Sequence, residues 1–212
     1  MSVAISRQAG SGAIRIAEEL AAYLQSFTPA EERPWTVFDR NLVAKVLEDH
    51  HLPARLAKFL PEDKVSAISD MVDEILGMHP SSWVMVRQVT ETMLRLVELG
   101  NVILVGRGAN TIVSRLPHVL RVRLVGSLDR RVARVEESEH LNPKEALAFI
   151  RRTDRGRAAY VRKYLRQDIA DVLLYDLIIN TDRFSLDEVV HQIGDVVLRR
   201  LGAGSAELKQ AA

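Results

Sequence analysis

Val102-Ile103-Leu104-Val105 is a run of four apolar residues with no polar one among them, ending at Gly106-Arg107-Gly108. A strand apolar on both faces must be covered on both, which requires a mostly parallel sheet between helical layers. Other short runs have the same build: Val3 to Ile5, Thr36 to Phe38 ending at Asp39-Arg40, and Leu177 to Ile179 ending at Asn180-Thr181-Asp182. Val119 to Val125 alternates apolar residues with Arg121 and Arg123 and ends at Gly126. Helical patterns separate these runs. The order predicts five strands near 2–6, 35–38, 101–105, 119–125 and 176–180 in a three-layer α/β/α sandwich. Ile5, Val105 and Ile179 should be buried, and 102–105 should not form an edge. The charged alternation at 119–125 suits a strand near the rim or one reaching into a polar cleft.

Helix limits are marked by local chemistry. Asn142-Pro143-Lys144-Glu145 reads as an N-cap, a proline in the first turn and a capping-box glutamate. Ser185 with Glu188 is a second capping box, opening a last helix expected to stop at Gly202. Ser127 caps a helix over 128–138, while Gly77 and Gly100 end helices near 63–76 and 82–98. The stretch 40–98 then reads as a helical insert. Residues 1–204 make one domain and 205–212 a flexible tail.

Composition narrows the chemistry. The chain has no cysteine, which removes disulfides, zinc-thiolate sites and thiol nucleophiles. Its net charge is +1, so any basic function is local. No apolar run has the length of a membrane span and no charged-then-apolar leader opens the chain, as expected of a cytoplasmic protein. The six histidines are scattered without metal-ligand spacing.

Ile5 leads through Ser6-Arg7-Gln8-Ala9-Gly10-Ser11-Gly12 into an amphipathic stretch carrying Ile16, Leu20, Leu24 and Phe27. A strand turning through glycines into a helix aims backbone N–H groups and the positive end of the helix dipole at one place, where phosphate settles. The full phosphate-loop pattern would put glycine at Arg7, lysine at Ala13 and a hydroxyl at Ile14. All three are missing, and Gly-Ser-Gly is also a plain strand-to-helix turn. Arg15 falls in the first helical turn, where a cation opposes the dipole at a cost of about 0.3–1 kcal/mol. An arginine that neutralises bound phosphate tolerates that position better than an idle one.

In an open parallel sheet, ligands bind beyond the carboxyl ends of the strands. Arg7, Arg40 and Arg107 stand at three such ends, and arginine suits bidentate contacts to phosphate or carboxylate. Residues 151–166 add seven basic residues and one acid, with Tyr160 and Tyr164 among them. That run can be a solvated helix face, a nucleic-acid patch with stacking tyrosines, or a lid closing arginines over a phosphoryl group.

Together these pieces resemble the cytidylate kinase-like family, relatives of bacterial cytidylate kinase among the P-loop nucleoside monophosphate kinases. They are Ile5 to Gly12, Phe38-Asp39-Arg40, Val102 to Asn110, Arg121 to Val125, Asp154-Arg155-Gly156-Arg157-Ala158-Ala159-Tyr160 and Tyr175 to Asp182, in order across residues 3–190. The resemblance implies strand order 2-3-1-4-5, a nucleotide-binding insert at about 40–98 and a lid at about 151–166. It implies Mg2+-ATP as donor and CMP, dCMP or a similar monophosphate as acceptor. On that template Arg7, Gly10, Ser11, Gly12, Ala13 and Ile14 hold the ATP phosphates, with Ser6 or Ser11 helping to hold the metal. Asp39, Arg40, Arg107 and Asn110 face the acceptor, while Arg152, Arg157 and Arg162 come from the lid, and Arg15 or Arg7 replaces the lysine. Cytidylate kinases proper keep the lysine and its following hydroxyl. Many kinase-like relatives read Gly-Gly-Arg-Glu after Gly-Ser, where this chain has Gly-Ala-Ile-Arg. A nucleotide-binding sensor or partner-binding module without phosphoryl transfer is the alternative these departures leave open, and nucleic-acid binding through 151–166 is a third.

Overall fold

The computed structural model describes residues 1–39, 82–106 and 108–210. The sheet is parallel, with β1 (Ser2–Arg7), β2 (Thr36–Phe38), β3 (Val102–Val105), β4 (Val119–Val125) and β5 (Leu177–Asn180). Its order is β2-β3-β1-β4-β5, as the resemblance implies. The apolar 102–105 run is interior, between β2 and β1. β4 is interior too, so it is not a rim strand; Arg123 reaches toward Ser6 and Tyr175, while Arg121 pairs with Asp176.

Period-two alternation divides the core into two layers. Val3, Ile5, Ile103, Val105, Val122 and Leu124 pack on α1 (Ala13–Gln25) and α6 (Leu186–Gln210). Ala4, Val102, Leu104 and Val119 pack on α2 (Ser82–Leu99) and the one-turn α3 (Ala109–Ile112) on the opposite face. Each fully buried Leu or Ile contributes about 1.5–3 kcal/mol. Ile5, Val105 and Ile179 are all buried. A smaller cluster, Ala9, Val135, Ala146 and Ile150, joins α4 (Leu128–Glu139) and α5 (Pro143–Leu165) to the loop after β1.

The caps form as the sequence signals. Asn142 and Glu145 make the reciprocal capping box of α5, and Ser185 with Glu188 that of α6. Gly100, in the left-handed region at φ +77°, ends α2. One limit differs. Gly202 does not stop α6, which continues to Gln210 through the stretch expected to fray. Glycine inside a helix costs only about 1 kcal/mol, and Gly202 has no close neighbour to force a turn there. The expected helix near 63–76, Gly77 and most of the insert at 40–98 lie outside the described residues.

Candidate functional site

The loop of residues 8–12 is held by groups from three elements. Gln8 donates its backbone N–H to Leu124 O at 3.0 Å and accepts from Gly126 N at 3.0 Å. Arg131 of α4 is buried and donates to Ala9 O at 3.1 Å and Gly126 O at 3.0 Å. Arg134, one turn further along α4, donates to Gly10 O at 3.4 Å and grips the hydroxyl and carbonyl of Thr181 at 2.9 and 2.6 Å. Two guanidinium groups therefore brace the carbonyl side of the loop. Gly10 sits at φ +77°, and a Cβ there would lie 2.5 Å from the Arg131 carbonyl oxygen, so only glycine fits.

The loop's remaining polarity is available to an anion. Gly12 is the N-cap of α1 and gives it no side-chain cap. The first-turn amides of a helix left in that state favour negative charge. Ser11 is buried and its Oγ has no hydrogen-bond partner among the described residues. A buried orphan hydroxyl beside uncapped amides leaves hydrogen-bonding capacity that a ligand oxygen can use.

Beside the loop, Ser6, Arg7, Asn110, Arg157, Tyr160 and Tyr175 line a cleft beyond the carboxyl ends of β1 and β3, with Tyr175 coming from the segment before β5. Arg157 donates to Arg7 O at 3.2 Å. Under the cleft, Arg123 of β4 donates to Ser6 Oγ at 2.9 Å and Tyr175 Oη at 3.2 Å, with its guanidinium 5.3 Å from the centre of the Tyr175 ring. Tyr175 in turn donates to Ile169 O at 2.8 Å. The cleft thus offers guanidinium groups for an anion and aromatic faces for a ring. Asp154 joins loop and cleft, accepting from Ala9 N at 2.7 Å and from Arg131 at 2.6 Å while standing 3.8 Å from Arg157.

The residues singled out from sequence divide. Arg7, Asn110 and Arg157 line the cleft, and Gly10, Ser11 and Gly12 form the loop. Asn110 has spent its amide on Ala4 O and Val122 O, both at 3.1 Å, so its donors hold the sheet. Asp39 follows β2, while Arg40 and Arg107 lie outside the described residues. Ala13 is buried in the core and Ile14 is partly exposed. Arg15 does not turn to the loop. Its side chain is 71 % exposed and pairs with Glu19 at 2.7 Å, a partner one turn along that offsets its unfavourable place in the dipole. Arg152 and Arg162 are exposed and do not line the cleft. Around α5, Arg152 sits about 160° and Arg162 about 80° from Asp154, and both sit about 140° from Arg157, so one helix cannot present all of them inward.

Sequence reasoning missed Arg131 and Arg134, took Arg123 no further than a strand reaching into a polar cleft, and gave no role to Asp154 or Tyr175. The i, i+3, i+6 spacing of Asp154, Arg157 and Tyr160 was the available signal for one helical face.

The model of the cytidylate kinase-like family matches residues 2–183. The chain belongs to that family. A structure of an uncharacterized protein from Eubacterium ventriosum is similar to this family member, with TM-score 0.67 and 21 % identity over 93 % of this chain and 97 % of that one. Shikimate kinase from Bacteroides thetaiotaomicron is similar at TM-score 0.51 and 16 % identity, over 93 % and 98 %. At these identities the likeness speaks for the fold, that of the P-loop kinases. No curated protein matches the chain. Among the described residues no helix is long and apolar enough to cross a membrane.

Proposed function

We propose that this cytidylate kinase-like protein transfers the γ-phosphoryl group of ATP to a nucleoside monophosphate, CMP or dCMP first among them. The observation that carries the reading is the position of Arg157. Its guanidinium lines the cleft, donates to Arg7 O at the start of the loop and lies 3.8 Å from the carboxylate that meets the loop amide. A cation there stands between a donor loop and an acceptor cleft, where charge develops during transfer.

The roles follow from the chemistry of each group. The loop amides and Ser11 Oγ receive phosphate oxygens of the donor. Arg131 and Arg134 supply, from α4, positive potential that a loop lysine otherwise gives. Arg7 and Arg157 take the acceptor phosphate, joined by Arg107 from the glycine-flanked end of β3, and Tyr160 or Tyr175 covers the base. An acceptor oxygen then attacks the γ-phosphorus in line as the bond to the ADP oxygen breaks, and the work of the protein is positioning and charge stabilisation. Ser11 Oγ, the buried hydroxyl of the loop, would hold a Mg2+ bound with ATP, or its water, and that ion would neutralise phosphate charge.

Calorimetric titration with ATP and with CMP tests the two subsites separately. Saturable one-to-one binding of both supports the reading, and absence of binding by either nucleotide contradicts it.

A second reading, binding without transfer, draws on Ala13. Its methyl lies in the core, so the lysine's place in a phosphate loop is filled by packing. Nucleotide binding without product would favour a sensor.

A further inference from the structure

Asp154 is the one carboxylate described at the junction of loop and cleft, and its setting is that of a bound oxyanion. One oxygen accepts from the Ala9 N–H at 2.7 Å and lies 3.8 Å from Arg157. The other accepts from Arg131 at 2.6 Å. A backbone amide flanked by two guanidinium groups is a phosphate-binding arrangement, here filled by the protein's own carboxylate. The two arginines are nearly enclosed, with side chains 9 % and 15 % exposed, whereas Asp154 is 28 % exposed and faces the water from which a ligand arrives.

We propose that Asp154 is a built-in competitor for phosphate: it latches α5 onto the loop, and a polyphosphate binds by displacing it. The proposal rests on the phosphate-loop reading above and adds to it what governs access. Displacement releases three partners together, the Ala9 amide, Arg131 and Arg157. The incoming anion inherits a prebuilt site, and the Asp154 carboxylate turns out of it while α5 stays packed on the loop through Ala146 and Ile150. Because Asp154 and Arg157 lie on one helical face, displacing the carboxylate also takes a negative charge from beside the cation assigned to the transfer, which keeps its bond to Arg7 O. A latch closed nine-tenths of the time lowers apparent affinity about tenfold.

The test is calorimetric titration of the full chain with ADP and, separately, inorganic pyrophosphate at fixed ionic strength. Wild type is compared with Asp154→Ala, with the near-isosteric Asp154→Asn, and with Asp129→Asn. The last removes the same charge from the exposed first turn of α4. The latch predicts about tenfold tighter binding by D154A and an intermediate gain by D154N. D129N should stay within about twofold of wild type, the share due to bulk charge. Circular dichroism checks folding, and if D154A fails to fold, D154N decides. Equal or weaker binding by the folded Asp154 variants overturns the latch and makes Asp154 a brace for the loop. An equal gain in D129N overturns it in favour of bulk charge. Absence of binding by all four proteins overturns the phosphate-loop reading, and the latch with it.

Discussion

Arg134 of α4 holds Thr181, the residue after β5, through both its hydroxyl (2.9 Å) and its carbonyl (2.6 Å). The same guanidinium reaches Gly10 O at 3.4 Å, so one side chain couples the ends of β1 and β5. Thr181 is buried and its hydroxyl also donates to Val125 O at 3.1 Å. Replacing Arg134 by Met leaves a buried carbonyl without its charged donor. The expected loss is about 1.5–3 kcal/mol in urea denaturation, with weaker ADP binding because the loop loses its brace.

Ser11 separates a ligand group from a structural one. Its hydroxyl is buried and has no hydrogen-bond partner among the described residues. Ser11→Ala should therefore hold stability within about 0.5 kcal/mol of wild type, or raise it, because no bond is broken. Binding of ATP should nevertheless fall about tenfold if the hydroxyl serves a phosphate oxygen or its metal. Melting curves beside calorimetry read the two effects.

Gly194 sets the distance between α1 and α6. A Cβ at this position would run into the ring of Tyr23, whose hydroxyl donates to Asp195 at 2.9 Å. Gly194→Ala must push the ring aside and should cost about 1–3 kcal/mol by chemical denaturation. Adding Tyr23→Ala should recover part of that cost, since the clash goes with the ring.

Asp176 gives the fold an acid-side dependence. Burial works to raise its carboxyl, but hydrogen bonds from the Arg121 side chain and backbone, with the charges of Arg121 and Arg200, hold it below its ordinary value. A lowered folded-state value means this stabilisation is complete above the unfolded carboxylate's pKa and is lost as pH falls through the folded one. Stability of wild type should therefore decline below about pH 4 more steeply than that of Asp176→Asn, measured as urea midpoints across the acid range.

The sheet was legible because strands and caps are local. Val102 to Val105 has no polar residue, Asn142 and Ser185 stand three residues before their glutamates, and each of these signals works over a few positions. The site was legible only in outline. Arg7 and Arg157 were found through strand ends and a basic helix, but Arg131 and Arg134 look like any solvated arginines until α4 packs on the loop. Arg15 shows the reverse error, since a helix places Glu19 beside it and periodicity does not say which partner wins. Strand order came from family resemblance, because periodicity carries no information on which strands are neighbours.

The central claim is phosphoryl transfer by a loop without lysine, and turnover tests it most directly. A coupled assay of the full chain with ATP and Mg2+ should show ADP release that depends on CMP or dCMP and is weaker with UMP or AMP. Arg157→Met should abolish it in protein that still binds ATP. Well-folded protein that turns over none of these monophosphates above background would contradict the account.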